Sequence, residues 1–212
     1  MSTTITYLFD PLCGWCYGAA PTVQYLGNRD RIRLELAPTG LFSGHGARAM
    51  DASFAAYAWS NDERIERLTG QRFTESYRAQ VLDKPGSRFD STAATLALTA
   101  VTLTSPEHEL ATLNCLQEAR YVHALDTSHL HVTEQVLRDT GLNAAADRLI
   151  APDVALLTAN LERLQKARAL MQIFGAQGVP AMVVTGERGS RLLRGDALYG
   201  SIDTLLDDIA TA

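Results

Sequence analysis

Residues 4–21 read "TITYLFDPLCGWCYGAAP". "TITYLF" at 4–9 is a run of β-branched and aromatic residues, the signature of a strand. Asp10-Pro11 ends it, because the residue before a proline is held in an extended or turn conformation. From Cys13 to Leu26 the pattern is helical, Gly27 is a natural stop, and Pro21 inside the run calls for a kink. Cys13 and Cys16 therefore fall in the first turn of a helix that follows directly on a strand. Next, "RIRLELAP" at 31–38 alternates Ile32, Leu34 and Leu36 with charged residues, a second strand. The chain opens as β-α-β, whose two strands run parallel with the helix on one face.

Two thiols in that position have a specific chemistry. A free thiol has a pKa near 8.5, so only about 3% is thiolate at neutral pH. Unpaired N–H groups at a helix N-terminus favour the anion, and in Cys-X-X-Cys motifs the value falls to roughly 3.5–7.5. The two-residue spacing lets the second sulfur close a disulfide with the first or resolve a mixed one. Cys13 is then the exposed, activated sulfur and Cys16 the more buried resolving partner. Zinc is the competing reading, with Cys115, His123, His129 or His131 completing a tetrahedron. No second Cys-X-X-Cys exists and the histidines lie more than a hundred residues away. A structural disulfide would close so short a loop that it constrains the unfolded chain little.

Working outward, residues 51–174 carry almost entirely helical signals, broken at Pro85-Gly86, Ser105-Pro106 and Gly141. The clearest helix spans Asp153 to Phe174, with Leu157, Leu161, Leu164, Met171 and Phe174 at helical spacing and Gly175 as its C-terminal cap. Strand signals return in "PAMVVTG" at 180–186 and, after a glycine-containing turn, in "SRLLRG" at 190–195, a hairpin. A last helix starts near Ser201 and buries Leu205, Leu206 and Ile209. Cys115, between Leu113 and Leu116, reads as a core thiol. Trp59, Tyr57, Phe73 and Tyr77 read as aromatics of the core of the helical segment, and His45 as a solvated histidine on a glycine-rich loop.

Composition narrows the class. Of 212 residues, 46% are apolar and 20% charged, ordinary values for a globular protein with a sizeable core. A net charge of −5 without long runs of one sign argues against nucleic acid or an anionic membrane as principal partner. The start "MSTTITYLF" has no basic n-region or apolar h-region, which favours a cytoplasmic location. The longest charge-free stretch, Ser91 to Pro106, is too short to cross a bilayer. Three cysteines are too few for a disulfide-stapled scaffold, and in a reducing cytosol a close pair is metal-binding or catalytic. No feature of the sequence sets an oligomeric state.

"CGWC" opening a helix after the first strand, Pro21 five residues beyond the second cysteine, and "GVPAMVV" at 178–184 opening the later hairpin are a specific combination. On these residues the chain resembles the DsbA-like thiol–disulfide oxidoreductases of the thioredoxin superfamily, in the branch described as predicted protein-disulfide isomerases. The resemblance covers essentially the whole chain. It implies an α/β, thioredoxin-like fold with a large all-helical domain inserted between an N-terminal βαβ unit and a C-terminal ββα unit. The expected division is 1–50 and 153–212 for the thioredoxin-like domain and 51–152 for the insert. The resemblance further implies a cis Val179–Pro180 bond facing the cysteines. Proline has no N–H, so Val179 is left free to pair with an extended substrate segment.

The expected activity is thiol–disulfide exchange on protein or small-thiol substrates. Cys13 attacks, Cys16 resolves, and glutathione or a thioredoxin-type protein serves as redox partner, with no metal or other cofactor. Trp15 lies in the dipeptide where thioredoxin-like proteins adjust their potential, and it offers an apolar docking face. The histidine of the strongly oxidising members is missing from that dipeptide. Asp10, three residues before Cys13, either accepts a proton as Cys16 becomes a nucleophile or fixes the loop. Two rival readings are a glutathione-dependent isomerase or transferase of the kappa type, which presents a serine where Cys13 stands, and a non-catalytic adaptor.

Overall fold

The structure, a computed structural model, describes residues 3–193 and 195–211. Strand β1 (Thr3–Phe9) leads through helix α1 (Gly14–Gly18) and helix α2 (Ala20–Gly27) into β2 (Ile32–Pro38). A short strand β3 (Arg48–Ala49) precedes helices α3 (Ala52–Thr69) and α4 (Glu75–Tyr77), the latter running into a π turn over Arg78–Leu82. Strand β4 (Arg88–Phe89) follows, and then helices α5 (Thr92–Thr104), α6 (Glu109–Tyr121), α7 (Leu130–Asp139), α8 (Asn143–Ile150) and α9 (Val154–Phe174). The chain closes with β5 (Ala181–Gly186), β6 (Gly189–Leu192) and α10 (Ile202–Ala210).

Both ends of the chain build one four-stranded sheet in the order β2-β1-β5-β6. β1 pairs parallel with β2, Ile5 opposite Leu34, and antiparallel with β5, Ile5 opposite Val184. Strand periodicity then sorts the core into two layers. Ile5, Tyr7 and Phe9 of β1, with Met182 and Val184 of β5, face Val23 and Leu26 of α2 and Leu205 and Ile209 of α10. Their sequence neighbours Leu8, Ala181 and Val183 face Ala167 of α9 on the other side. This is the thioredoxin-like fold with helices inserted between its halves, as expected. Among the described residues no helix is long and apolar enough to cross a membrane.

Several local expectations need correction. The helix expected from Cys13 to Leu26 is two helices that break at Ala19. Pro21 sits in the first turn of α2, where its missing N–H is tolerated. In a continuous helix that N–H would have bonded the Tyr17 carbonyl, which instead accepts from Gln71 Nε2 at 3.1 Å. The helical block also contains the small β3–β4 ribbon, which joins its edge to the loop after β2. Tyr57 is not a core residue: α3 buries Ala55, Trp59, Asp62 and Ile65, and Tyr57 points away from that stripe, 65% exposed. On α9 the buried residues are Leu156 and Ala167, with Met171 and Phe174 packed beside the latter, whereas Leu157 and Leu161 are exposed. Arg194, in the expected 190–195 strand, lies outside the described residues, and β6 ends at Leu192.

The cysteine-bearing turn is wedged against the insert. A Cβ on Gly18 would fall 2.5 Å from Cγ2 of the fully buried Ile65 and 3.4 Å from Cγ2 of Thr69. Gly18→Ala gains about 1 kcal/mol of helix propensity but overpacks this contact by about 1–3 kcal/mol. A net loss of up to about 2 kcal/mol is expected in urea unfolding. A variant as stable as wild type would show that α3 can move away from α1 freely.

Candidate functional site

Cys13 is the N-cap of α1: its carbonyl accepts the first helical bond, from Tyr17 N at 3.1 Å, while its backbone stays extended. Its own N–H donates to the Asp10 carbonyl at 3.0 Å, which closes the turn after β1. Cys16 lies one turn on and is 1% exposed, against 7% for Cys13. Cys13 is thus the more accessible residue of the pair, though itself buried, in the wall of a cleft to which residues of α3 and α6 contribute. Burial, and then the neighbouring Cys13 sulfur, push the Cys16 thiol well above its ordinary pKa. Such a group stays protonated until something takes its proton.

From the other end of the chain, the segment before β5 brings up the Val179 carbonyl, 3.5 Å from the Cys13 sulfur, a distance suited to a weak S–H···O bond. The Val179–Pro180 peptide bond is cis. Cys13 and Val179 form part of the wall of a cleft of about 280 Å³. Trp15, Leu41, Phe42, Phe54 and Tyr57 make much of the remaining wall apolar or aromatic. Trp15 is half-buried: its indole meets Tyr199 edge-on at 5.3 Å, and the Arg64 guanidinium lies 5.5 Å from its ring centre.

Asp10 is fully buried beneath this cleft. Its Oδ1 accepts from Leu12 N at 3.0 Å, and its Oδ2 from Phe42 N at 3.0 Å and Ser91 Oγ at 2.8 Å. One carboxylate therefore ties the cysteine turn to the loop after β2 and to the start of α5. Burial raises its pKa even against those three bonds, which work to lower it. The loop it holds is pinned from the far side as well, where Arg168 of α9 donates to the carbonyls of Thr39 and Gly40, both at 2.8 Å.

The residues weighed for zinc do not come together: among the described residues no group of three His, Cys, Asp or Glu side chains could hold a metal. His123 and His129 face solvent beside Glu118 and Asp126. Cys115 is half-buried against the main core, and burial raises its thiol. His45 is exposed and does not line the cleft.

Besides the apolar wall residues Leu41, Phe42 and Phe54, three polar site residues escaped the sequence reading. Tyr121 Oη donates to the Leu12 carbonyl at 2.7 Å and so braces the turn from α6. Tyr199 Oη does the same for the Trp15 carbonyl at 2.9 Å. Asp62 enters the cleft wall from α3, against Gly14. Its signal was present: in the spacing Ala55, Trp59, Asp62, Ile65 a carboxylate falls on an apolar helical stripe.

The comparisons with known proteins agree with this geometry. Residues 4–209 match the family described as DSBA-like thioredoxin domain. No curated protein matches the sequence. Among solved structures, the cytosolic disulfide reductase DsbM from Pseudomonas aeruginosa superposes with a TM-score of 0.85 at 26% identity, covering 99% of this chain and 100% of that one. The same protein with GSH superposes with a TM-score of 0.85 at 27% identity, covering 98% of both chains. The oxidoreductase DsbA from Xylella fastidiosa shares the fold at 15% identity, with a TM-score of 0.56 over 100% of this chain and 88% of that one.

Proposed function

The chain belongs to the DsbA-like thioredoxin-domain family, and on that premise we propose that it exchanges disulfides through Cys13 and Cys16. Its substrates are protein or small-molecule thiols and disulfides, glutathione serves among the thiols, and its location is cytosolic. One observation carries the reading. The more accessible sulfur of the pair lies at the wall of an apolar cleft, with a backbone carbonyl 3.5 Å away and a deeply buried second thiol one helical turn behind it. In the reaction the Cys13 thiolate attacks one sulfur of a disulfide lying in the cleft and forms a mixed disulfide. Val179 pairs with the backbone of the substrate segment, since Pro180 offers no competing N–H. Trp15 gives that segment an apolar face.

Cys16 then displaces the substrate from Cys13. Its raised pKa requires a proton acceptor, and Asp10 fills that role: it is buried, and its charge bears on Cys16. Residues 51–152 form the inserted helical domain, which supplies much of the cleft wall, and 1–50 with 153–212 form the thioredoxin-like domain. The similarity to DsbM, a protein described as a cytosolic disulfide reductase and solved with GSH, supports small thiols as partners and the reducing direction.

Reduction of insulin by dithiothreitol, and of a glutathione mixed disulfide by glutathione, tests the reading. The protein should accelerate at least one of the two. An adaptor would be inert in both, and a kappa-type transferase reaction would not need the second cysteine. Failure in both assays by a folded protein whose two thiols are free removes the proposal.

A further inference from the structure

Asp62 is an acid in an apolar place. It is 5% exposed and lines the same cleft as Cys13 and Val179. Its Oδ1 lies so close to the cysteine turn that a Cβ on Gly14, the residue after Cys13, would fall 2.4 Å from it. Glycine at position 14 is what lets the carboxyl reach this point. The Tyr77 hydroxyl donates to Oδ2 at 3.2 Å. The buried Arg120 guanidinium, which could have neutralised it, is engaged by Asp126 Oδ1 at 3.0 Å. A buried carboxylate held by one hydroxyl costs more than an amide or an apolar residue of the same size, and such a group in a cleft beside a nucleophile points to proton transfer.

We propose that Asp62 is the proton donor to the substrate sulfur that leaves when the Cys13 thiolate opens a disulfide in the cleft. The assignment rests on the exchange reaction proposed above. In that step the bond between Cys13 sulfur and the first substrate sulfur forms as the substrate S–S bond breaks. The electron pair of the broken bond goes to the second substrate sulfur, and the carboxyl proton of Asp62 follows it, leaving a free thiol and a carboxylate. When Cys16 closes the protein disulfide, its own proton ends on the remaining substrate thiol. One substrate disulfide has become two thiols and two protein thiols have become one disulfide. A dithiol reductant restores the protein, and water returns the proton to Asp62.

The groups that face Asp62 are Cys13 at the cap of α1, Tyr77 on α4, and Arg120 and Tyr121 on α6. Burial pushes its pKa up to about 7, while the Tyr77 bond and the Arg120 charge pull it down. The donor form therefore prevails below about pH 7 and is lost above it. Thiolate supply from a cysteine rises with pH, so the two trends oppose each other.

The test compares two substrates on reduced wild type and Asp62→Asn, with rates normalised to the Cys13 thiolate fraction measured by iodoacetamide alkylation. Bis(2-hydroxyethyl) disulfide releases a basic thiolate that gains from protonation, whereas dithiobis(nitrobenzoate) releases one that leaves unaided, since low-pKa thiolates leave faster. With the aliphatic disulfide at about pH 6, Asp62→Asn should be slower by about tenfold, a modest share of what general acids supply to poorer leaving groups. The wild-type advantage should vanish as pH rises past about 7. With the aromatic disulfide the two proteins should react alike at every pH.

Tyr77→Phe, which removes a bond that lowers the Asp62 pKa, should move the inflection to higher pH. Equal slowing of Asp62→Asn with both substrates would make Asp62 a packing residue and overturn the proposal, as would no slowing with either. If wild type itself exchanges with neither substrate, the disulfide-exchange reading falls, and this assignment with it. Asparagine is isosteric and still accepts from Tyr77, and circular dichroism of both variants confirms the fold.

Discussion

Cys13→Ser loses disulfide exchange by more than about 10³-fold, the scale on which removal of a covalent nucleophile is felt. Cys16→Ser instead becomes a trap for its substrates. The difference follows from where the two sulfurs sit. Cys13 has the exposure and the cleft; Cys16, one turn behind at 1% exposure, meets the substrate only through Cys13. Without Cys16 the first attack still occurs, but no internal thiol releases the product. High-mass species that vanish with dithiothreitol should then accumulate on non-reducing gels for Cys16→Ser and not for Cys13→Ser. Cys115→Ser, a change at the edge of the main core, should leave exchange intact. Trapping by Cys13→Ser instead of Cys16→Ser would reverse the assignment. Wild-type activity in both single mutants would remove the pair from the reaction.

Arg120→Ala is expected to cost about 3–5 kcal/mol of stability, the range for breaking a buried ion pair by removing one partner. Arg120 is 1% exposed, donates to Asp126 Oδ1 at 3.0 Å, and lies over the rings of Tyr77 at 5.6 Å and Phe89 at 5.4 Å. Truncation leaves the Asp126 carboxylate in the interior with Ser128 as its hydrogen-bond donor and the His129 imidazole 3.5 Å away, and opens a void among aromatic rings. Replacing both charges, as in Arg120→Met with Asp126→Asn, should recover much of the loss, because the cost lies in the stranded charge rather than in the missing bond. Urea unfolding of the three proteins at neutral pH measures this. A loss below about 1 kcal/mol for Arg120→Ala would mean that water reaches Asp126 and that the insert core is looser than its burial implies.

The elements around the cysteines were legible because local rules decide them. "TITYLF" is a strand by composition, Asp10-Pro11 must end it, and the alternation of Ile32, Leu34 and Leu36 needs a sheet on one side. Those rules also placed Cys13 at a helix start and Cys16 one turn inside. They misjudged the length of that helix, since Pro21 can be read either as a kink within one helix or as the first turn of another. At the break the Tyr17 carbonyl accepts from Gln71, 54 residues away in sequence, a partner that local pattern does not reveal. On α3 the period was visible but its phase was not. Tyr57 and Trp59 are equally plausible core aromatics in sequence, and only the packing of Ala55, Trp59 and Ile65 onto the cysteine turn sends one inward and the other to the rim.

The sequence by itself determined that two cysteines open a helix after the first strand, that a proline opens the late hairpin, and that helices separate the two, while the family resemblance implied that both ends build one domain. Periodicity and turn chemistry act between neighbours in the chain and need no knowledge of the whole. Tertiary structure alone decided how far Cys13 is buried, that two of the three bonds to Asp10 come from distant segments, at Phe42 and Ser91, and that Asp62 meets Gly14. Those facts depend on how closely α3 can lie on α1. That distance is set by the absence of side chains at Gly14 and Gly18 and the burial of Ile65 between them, a packing outcome that local sequence does not encode.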